Sequence, residues 1–196
     1  MEGSIFIAGA GVQWLRDKLN FFKKASETEN IVKSLKDNKG VYLVPAFTGL
    51  GAPYWDANAR GVLSGLTRDT GPKEIIRATI ESVAYQTYDL FEAMKHDGLR
   101  PKLVKVDGGM VMNNWFSQFL SDVIDIKVLR PKVQETTALG AAFMAGLQIG
   151  VYKSLADISK NWHLDKNFTP KIKSKERNNL VKGWSAAIKK TLTKTI

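Results

Sequence analysis

Apolar positions along the chain follow two periods. Ile76, Ile80, Val83, Ala84, Phe91 and Met94 recur at helical spacing and predict a long helix over about 73–95. Pro72 stands at its start and Gly98 just past its end, where a missing N–H and a left-handed residue are tolerated. Phe116, Phe119, Leu120 and Val123 predict a helix over Asn113–Asp122, and Leu180, Val181, Trp184, Ala187 and Ile188 another over about Ser174–Leu192. Thr137–Ile149 also reads as a helix. Its Gly140, Ala141, Ala142, Ala145 and Gly146 suit close packing on a sheet, and Glu135-Thr136-Thr137 can cap its start. Short apolar runs predict strands at Ser4–Ala8, Val41–Val44, Gly61–Leu66, Leu103–Val106 and Ile126–Leu129, with a helical pattern over Val12–Leu19. Ala25–Gly40 is polar and rich in Asn and Lys, a surface helix and loop; Ser154–Thr169 reads as irregular to short-helical. Beyond residue 60 strands and helices alternate, which implies an α/β fold with a parallel sheet portion.

Two glycine corners join a strand to a helix. One is Asp107-Gly108-Gly109, followed by Asn113, whose amide is expected to face outward. The other is Gly9-Ala10-Gly11, followed by Gln13. Adjacent glycines let the backbone bend and another group approach it. In an α/β sheet such corners lie where ligands bind, and a helix N-terminus offers unpaired N–H groups to a phosphate. The bland alternative is a plain turn with Asp107 as a polar cap. Trp14 breaks the dinucleotide fingerprint at the first corner, and no phosphate-loop motif occurs anywhere. Ala46–Asp56, with two glycines, a proline and three aromatics, predicts a rigid loop whose Tyr54 and Trp55 fill core.

Composition narrows the chemistry. The 196 residues are 44% hydrophobic and 24% charged, a globular balance. No apolar run reaches membrane-spanning length, and the start lacks the pattern of a secretory signal, so cytoplasmic residence is expected. There is no cysteine, and the two histidines, His96 and His163, are far apart. Thiolate chemistry, a His-based metal site and a Ser-His-Asp triad are therefore not expected. The net charge of +10 comes from scattered lysines, densest near the end, without interleaved aromatics. That is a solvated face rather than a nucleic-acid groove.

Taken in order, four long segments resemble the FGGY carbohydrate kinases, in their carboxyl-terminal portion. They are Phe6–Asp17; Pro45–Asp56 continuing through Ala59-Arg60-Gly61 to Thr87; Val106–Gly109 with Asn113-Asn114; and Glu135–Ala142. The loop Phe47–Trp55 is similar to that of the glycerol-phosphorylating members rather than of pentulose or gluconate kinases. The resemblance implies an actin-like (ribonuclease H-like) ATPase domain, a mixed sheet with flanking helices, occupying residues 1–196 without its first strands or the amino-terminal domain.

The resemblance also implies a role in ATP-dependent phosphorylation of glycerol. Gly9 and Gln13 match nucleotide-contacting positions on one wall of a cleft, Gly109 and Asn113 on the other, the latter pair in the family's adenosine motif. The catalytic aspartate, the glycerol-binding residues and most Mg2+ contacts are expected in the other domain, so this chain alone is expected to be inactive and to hold no metal. Asp107 reads as a turn residue and Asp56 as a loop anchor. The alternatives are a non-catalytic nucleotide-binding or assembly fragment, or another sugar kinase of the family. ATP is the expected ligand, glycerol a ligand only through the missing half, and no nucleic acid or membrane partner is expected. An unpaired strand at Ile5–Ala8 leads to an expectation of homo-oligomers or of pairing with an amino-terminal half.

Overall fold

The computed structural model describes residues 4–193. In order these form α1 (Gly9–Asp17), α2 (Glu27–Lys33), β1 (Tyr42–Val44), β2 (Val62–Ser64), α3 (Pro72–His96), β3 (Leu103–Lys105), a 3-10 turn (Gly109–Met112), α4 (Asn114–Ile124), β4 (Lys127–Pro131), α5 (Thr136–Gln148), α6 (Leu155–Ser159), β5 (Leu164–Phe168) and α7 (Ser174–Thr191). β1 and β2 pair antiparallel. The second sheet has the order β3-β4-β5, parallel then antiparallel, so it is mixed.

The long helix α3 is the axis of the core. Its Ile76, Ile80, Val83 and Ala84 are buried as the spacing requires, while Phe91 and Met94 are only half-buried. Tyr85 stacks on Trp184 of α7 at 5.3 Å and meets Phe119 of α4 edge-on at 5.6 Å. Both arrangements suit the ring quadrupole. Beneath them lies a buried polar node. Glu81 accepts from Arg77 Nε at 2.7 Å, from Asn38 Nδ2 at 2.7 Å and from the Tyr85 hydroxyl at 3.3 Å. Arg77 also donates to the Leu35 carbonyl and lies over the Trp115 ring. Burial pushes the Glu81 carboxyl up, and the Arg77 guanidinium and three donors pull against it.

Four expectations are corrected. Ser4–Ala8 is irregular, not a strand: no described strand pairs with it, the Gln86 amide donates to the Ile7 carbonyl at 3.1 Å, and the Ala8 carbonyl accepts the Gly11 N–H at the start of α1. Leu164–Phe168 is a strand that its sequence conceals, because only Phe168 is buried and the strand is fixed mainly by its ladder to β4, with Ser121 Oγ donating to the Phe168 carbonyl at 3.1 Å and Arg130 paired with Asp165. Helix α5 does not lie close on the sheet; among its residues only Gly146 is buried. Trp55 does not fill core and is 74% exposed.

Loop 46–56 is ordered through two carboxylates. Asp56 accepts the Thr193 N–H at 2.7 Å and hydroxyl at 2.8 Å, plus the N–H groups of Asn58 and Ala59. Asp89 of α3 accepts the Tyr54 hydroxyl at 2.8 Å and the Trp184 Nε1–H at 2.6 Å, joining loop, α3 and α7.

Candidate functional site

The two glycine corners, a hundred residues apart in sequence, open on one cavity of about 470 Å3. Gly9 and Gln13 line it from α1, and Gly109 and Asn113 from the turn before α4. Its volume falls within the roughly 300–1,000 Å3 typical of small-molecule sites. A Cβ built on Gly9 or on Gly109 meets nothing within 4 Å. Side chains there would enter open space rather than disturb packing. The stricter glycine requirement belongs to Gly108, whose φ of 83° and ψ of 173° lie in a region essentially closed to other residues.

The start of α4 departs from the sequence reading. Asn113 is its N-cap, and its Oδ1 accepts the Phe116 N–H at 3.0 Å. The amide is therefore committed at its oxygen, while Nδ2 reaches the Thr28 hydroxyl at 3.4 Å. Asp107 does not cap the helix; a 3-10 turn separates it from α4. Nor is the Asn114 N–H at the start of α4 free for a phosphate. Glu29 of α2 accepts the Asn114 N–H at 3.1 Å and its side-chain amide at 3.3 Å, and pairs with Lys33. Burial alone would raise the Glu29 carboxyl, but Lys33 and the two Asn114 donors outweigh it and hold the group below its ordinary value. An anion thus already sits at the positive end of the helix.

Thr28 and Glu29 line the cavity, as does Arg16, which is forked onto Asp17 at 2.6 Å. Sequence reading passes over Thr28 and Glu29 because a polar segment without apolar period looks like solvated surface. Only their contacts across eighty-five residues reveal them. Among the described residues, no group of three or more His, Cys, Asp or Glu side chains is placed to hold a metal. No described helix is long and apolar enough to cross a membrane.

Residues 1–149 match the FGGY family of carbohydrate kinases, C-terminal domain. The chain belongs to this family. FGGY kinases are transferases, and this FGGY chain is 55% identical over 190 residues to glycerol kinase 1 of Pseudomonas aeruginosa, covering 97% of itself and 38% of that protein. It is 54% identical to the glycerol kinase of Symbiobacterium thermophilum over a similar span. Among solved structures it resembles a Plasmodium falciparum glycerol kinase crystallised with ADP, at 36% identity and a TM-score of 0.87, over 98% of this chain and 38% of that one. A xylulose kinase from Lactobacillus acidophilus, 24% identical with a TM-score of 0.77, shares the fold. The fold is the actin-like α/β one implied by the sequence motifs, and this FGGY chain spans about two fifths of the length of the relatives it matches.

Proposed function

We propose that this chain is the nucleotide-binding wall of a glycerol kinase, with residues 1–196 acting as one domain. The observation that carries the reading is the convergence of Gly9, Gln13, Gly109 and Asn113 on a single cavity. The likeness to a glycerol kinase crystallised with ADP supports an adenine nucleotide as the ligand. Glu29 supports an orientation. A phosphate at the start of α4 would meet its carboxylate, so the Asn113 end suits the uncharged nucleoside and the phosphates lie farther off. Residues beyond the matched 149 belong to the same unit, since β5 extends the sheet and Trp184 of α7 packs in the core.

Phosphoryl transfer also needs an oriented hydroxyl and Mg2+ bridging the phosphates. We assign both tasks, and the activation of glycerol, to the remainder of a full-length kinase. Cytoplasmic residence follows from the same reading. ADP titrated calorimetrically into the chain should bind, and Gly9→Leu or Gly109→Leu should weaken it by at least about tenfold without lowering the melting temperature. Unchanged binding in both variants refutes the site. Glycerol phosphorylation should be undetectable for the chain alone; turnover would mean that its own residues supply the base.

A further inference from the structure

A second hollow, of about 440 Å3, shares no lining residue with the glycine-cornered cavity. Three elements form it. Lys33 comes from α2, Trp115 and Gln118 from α4, Lys166 from β5, and Lys171 from the segment that follows. Its volume suits a small molecule. Three of its lining residues are lysines, and none is an aspartate or glutamate.

Acidic neighbours of these residues are committed elsewhere. Asp122 accepts the Lys171 backbone N–H at 2.6 Å and the Gln118 amide at 3.0 Å, and Asp165 pairs with Arg130 at 2.7 Å. Lys166 and Lys171 pair with no carboxylate among the described residues. Lys166 Nζ donates instead to Asn114 Oδ1 at 3.2 Å, and the buried Arg130 reaches the same oxygen at 3.3 Å. Cations gathered in this way repel one another, and an anion between them relieves the repulsion. Trp115 is already stacked on Phe119 at 5.0 Å and carries the Arg77 guanidinium at 4.9 Å. Charge, not ring stacking, is therefore what the hollow offers a ligand.

We propose that this hollow binds a small organic polyanion, one bearing two or more phosphate or carboxylate groups, and that Lys33 connects it to the glycine-cornered cavity. Lys33 borders the hollow, yet its ammonium pairs with Glu29 one turn earlier on α2, and Glu29 borders the other cavity. A polyanion competes with Glu29 for that ammonium. Once Lys33 turns to the ligand, the Glu29 carboxylate keeps its two Asn114 donors and loses its countercharge. Ligand in one hollow thereby changes the charge balance at the wall of the other. The proposal does not rest on the nucleotide reading. A chain that failed to bind ADP would still hold the polyanion.

Pyrophosphate and citrate, titrated separately into the chain by calorimetry at about 0.15 M salt, test the site. At least one should saturate a single site per chain. Saturation by pyrophosphate alone assigns it to phosphate-bearing ligands, and by citrate alone to polycarboxylates. Lys166→Ala and Lys171→Ala, both at exposed positions, should each weaken binding about fivefold or more. Lys36→Ala and Lys189→Ala, exposed and outside the hollow, should not. Equal weakening by all four would mean diffuse attraction to a chain of charge +10 and would overturn the proposal. So would the absence of saturable binding by either probe. The Glu29 carboxyl carbon, followed by NMR against pH, reads the connection. Burial raises its titration midpoint, and Lys33 and Asn114 lower it further than burial raises it. Saturation with the polyanion should raise that midpoint, as Lys33→Ala should without ligand. A midpoint unmoved by bound polyanion would show that Lys33 stays on Glu29 and would overturn the connection.

Discussion

Replacing Asp89 by asparagine should abolish one specific part of the pH dependence of stability. Asp89 lies inside the junction of α3, loop 46–56 and α7, where burial pushes its carboxyl from 3.8 up to about 6 against the pull of Trp184 and Tyr54, with Glu92 adding repulsion. The native state therefore keeps a proton that the unfolded chain releases near pH 3.8. The associated stability is fully present below that value and is lost as pH rises through about 6. A shift of this size corresponds to about 3 kcal/mol, large beside a total of roughly 5–15 kcal/mol for a domain. In Asp89→Asn the new amide can still accept from Tyr54 and Trp184 through its carbonyl oxygen, but it does not titrate. Urea unfolding of both proteins at several pH values gives the difference in stability, in which other carboxyl groups cancel. The wild type should lose about 3 kcal/mol relative to Asp89→Asn between pH ~3.5 and pH ~7.5. A flat difference would show that Asp89 is solvated like a surface carboxylate. A difference that grows in favour of the wild type would show that its two donors outweigh burial and hold the anion.

Three further outcomes follow from the same geometry. Glu81→Leu leaves the Arg77 guanidinium buried without its anion and should cost about 3–5 kcal/mol in urea unfolding; adding Arg77→Met should restore much of the loss, and no recovery would mean that the node matters through packing alone. Asn113→Ala removes the cap of α4 and should cost about 1 kcal/mol, whereas Asn113→Asp keeps an acceptor for the Phe116 N–H. Both should lose ADP affinity in calorimetry, because the first deletes the amide and the second sets another carboxylate beside Glu29; full affinity in Asn113→Asp would remove the amide from the site. At Gly183 a Cβ would collide with the Tyr42 ring and hydroxyl, so Gly183→Ala should lower stability by about 1–3 kcal/mol in thermal melts. An unchanged melting temperature would contradict the seating of α7 on β1.

What can be read from the residues, and what cannot, divides along a physical line. The large apolar residues of α3, α4 and α7 recur at helical spacing, although α3 over Ile76–Tyr85 and α4 over Phe119–Ile124 are buried on every side and carry small or polar residues between them. Ile76 to Ala84 and Phe116 to Val123 are legible for that reason. β5 is held by backbone hydrogen bonds to β4, which leave no apolar signature, and its first four residues are exposed. Ser4–Ala8 shows the opposite failure. Its apolar run satisfies the local pattern of a strand, but a strand exists only with a partner, and none of the described residues supplies one. The small residues of α5 would allow close packing, but a small side chain does not dictate a contact, and among the residues of α5 only Gly146 is buried.

The cavity divides in the same way. Glycine is a local signal: Gly108 stands out because its backbone is closed to other residues, and Gly9 and Gly109 because they leave open space at the cavity. Glu29 and Thr28 are ordinary polar residues on a short helix, and only tertiary contact brings them to the start of α4. Their presence changes the chemistry that the corner alone suggests. A bare helix N-terminus attracts phosphate, whereas one already bearing a carboxylate repels it and leaves room for a neutral, hydrogen-bonding group. The carboxylate at the cavity therefore comes from α2, a segment that composition would assign to solvent, and on the proposed reading a nucleotide would be oriented by a residue that no motif contains.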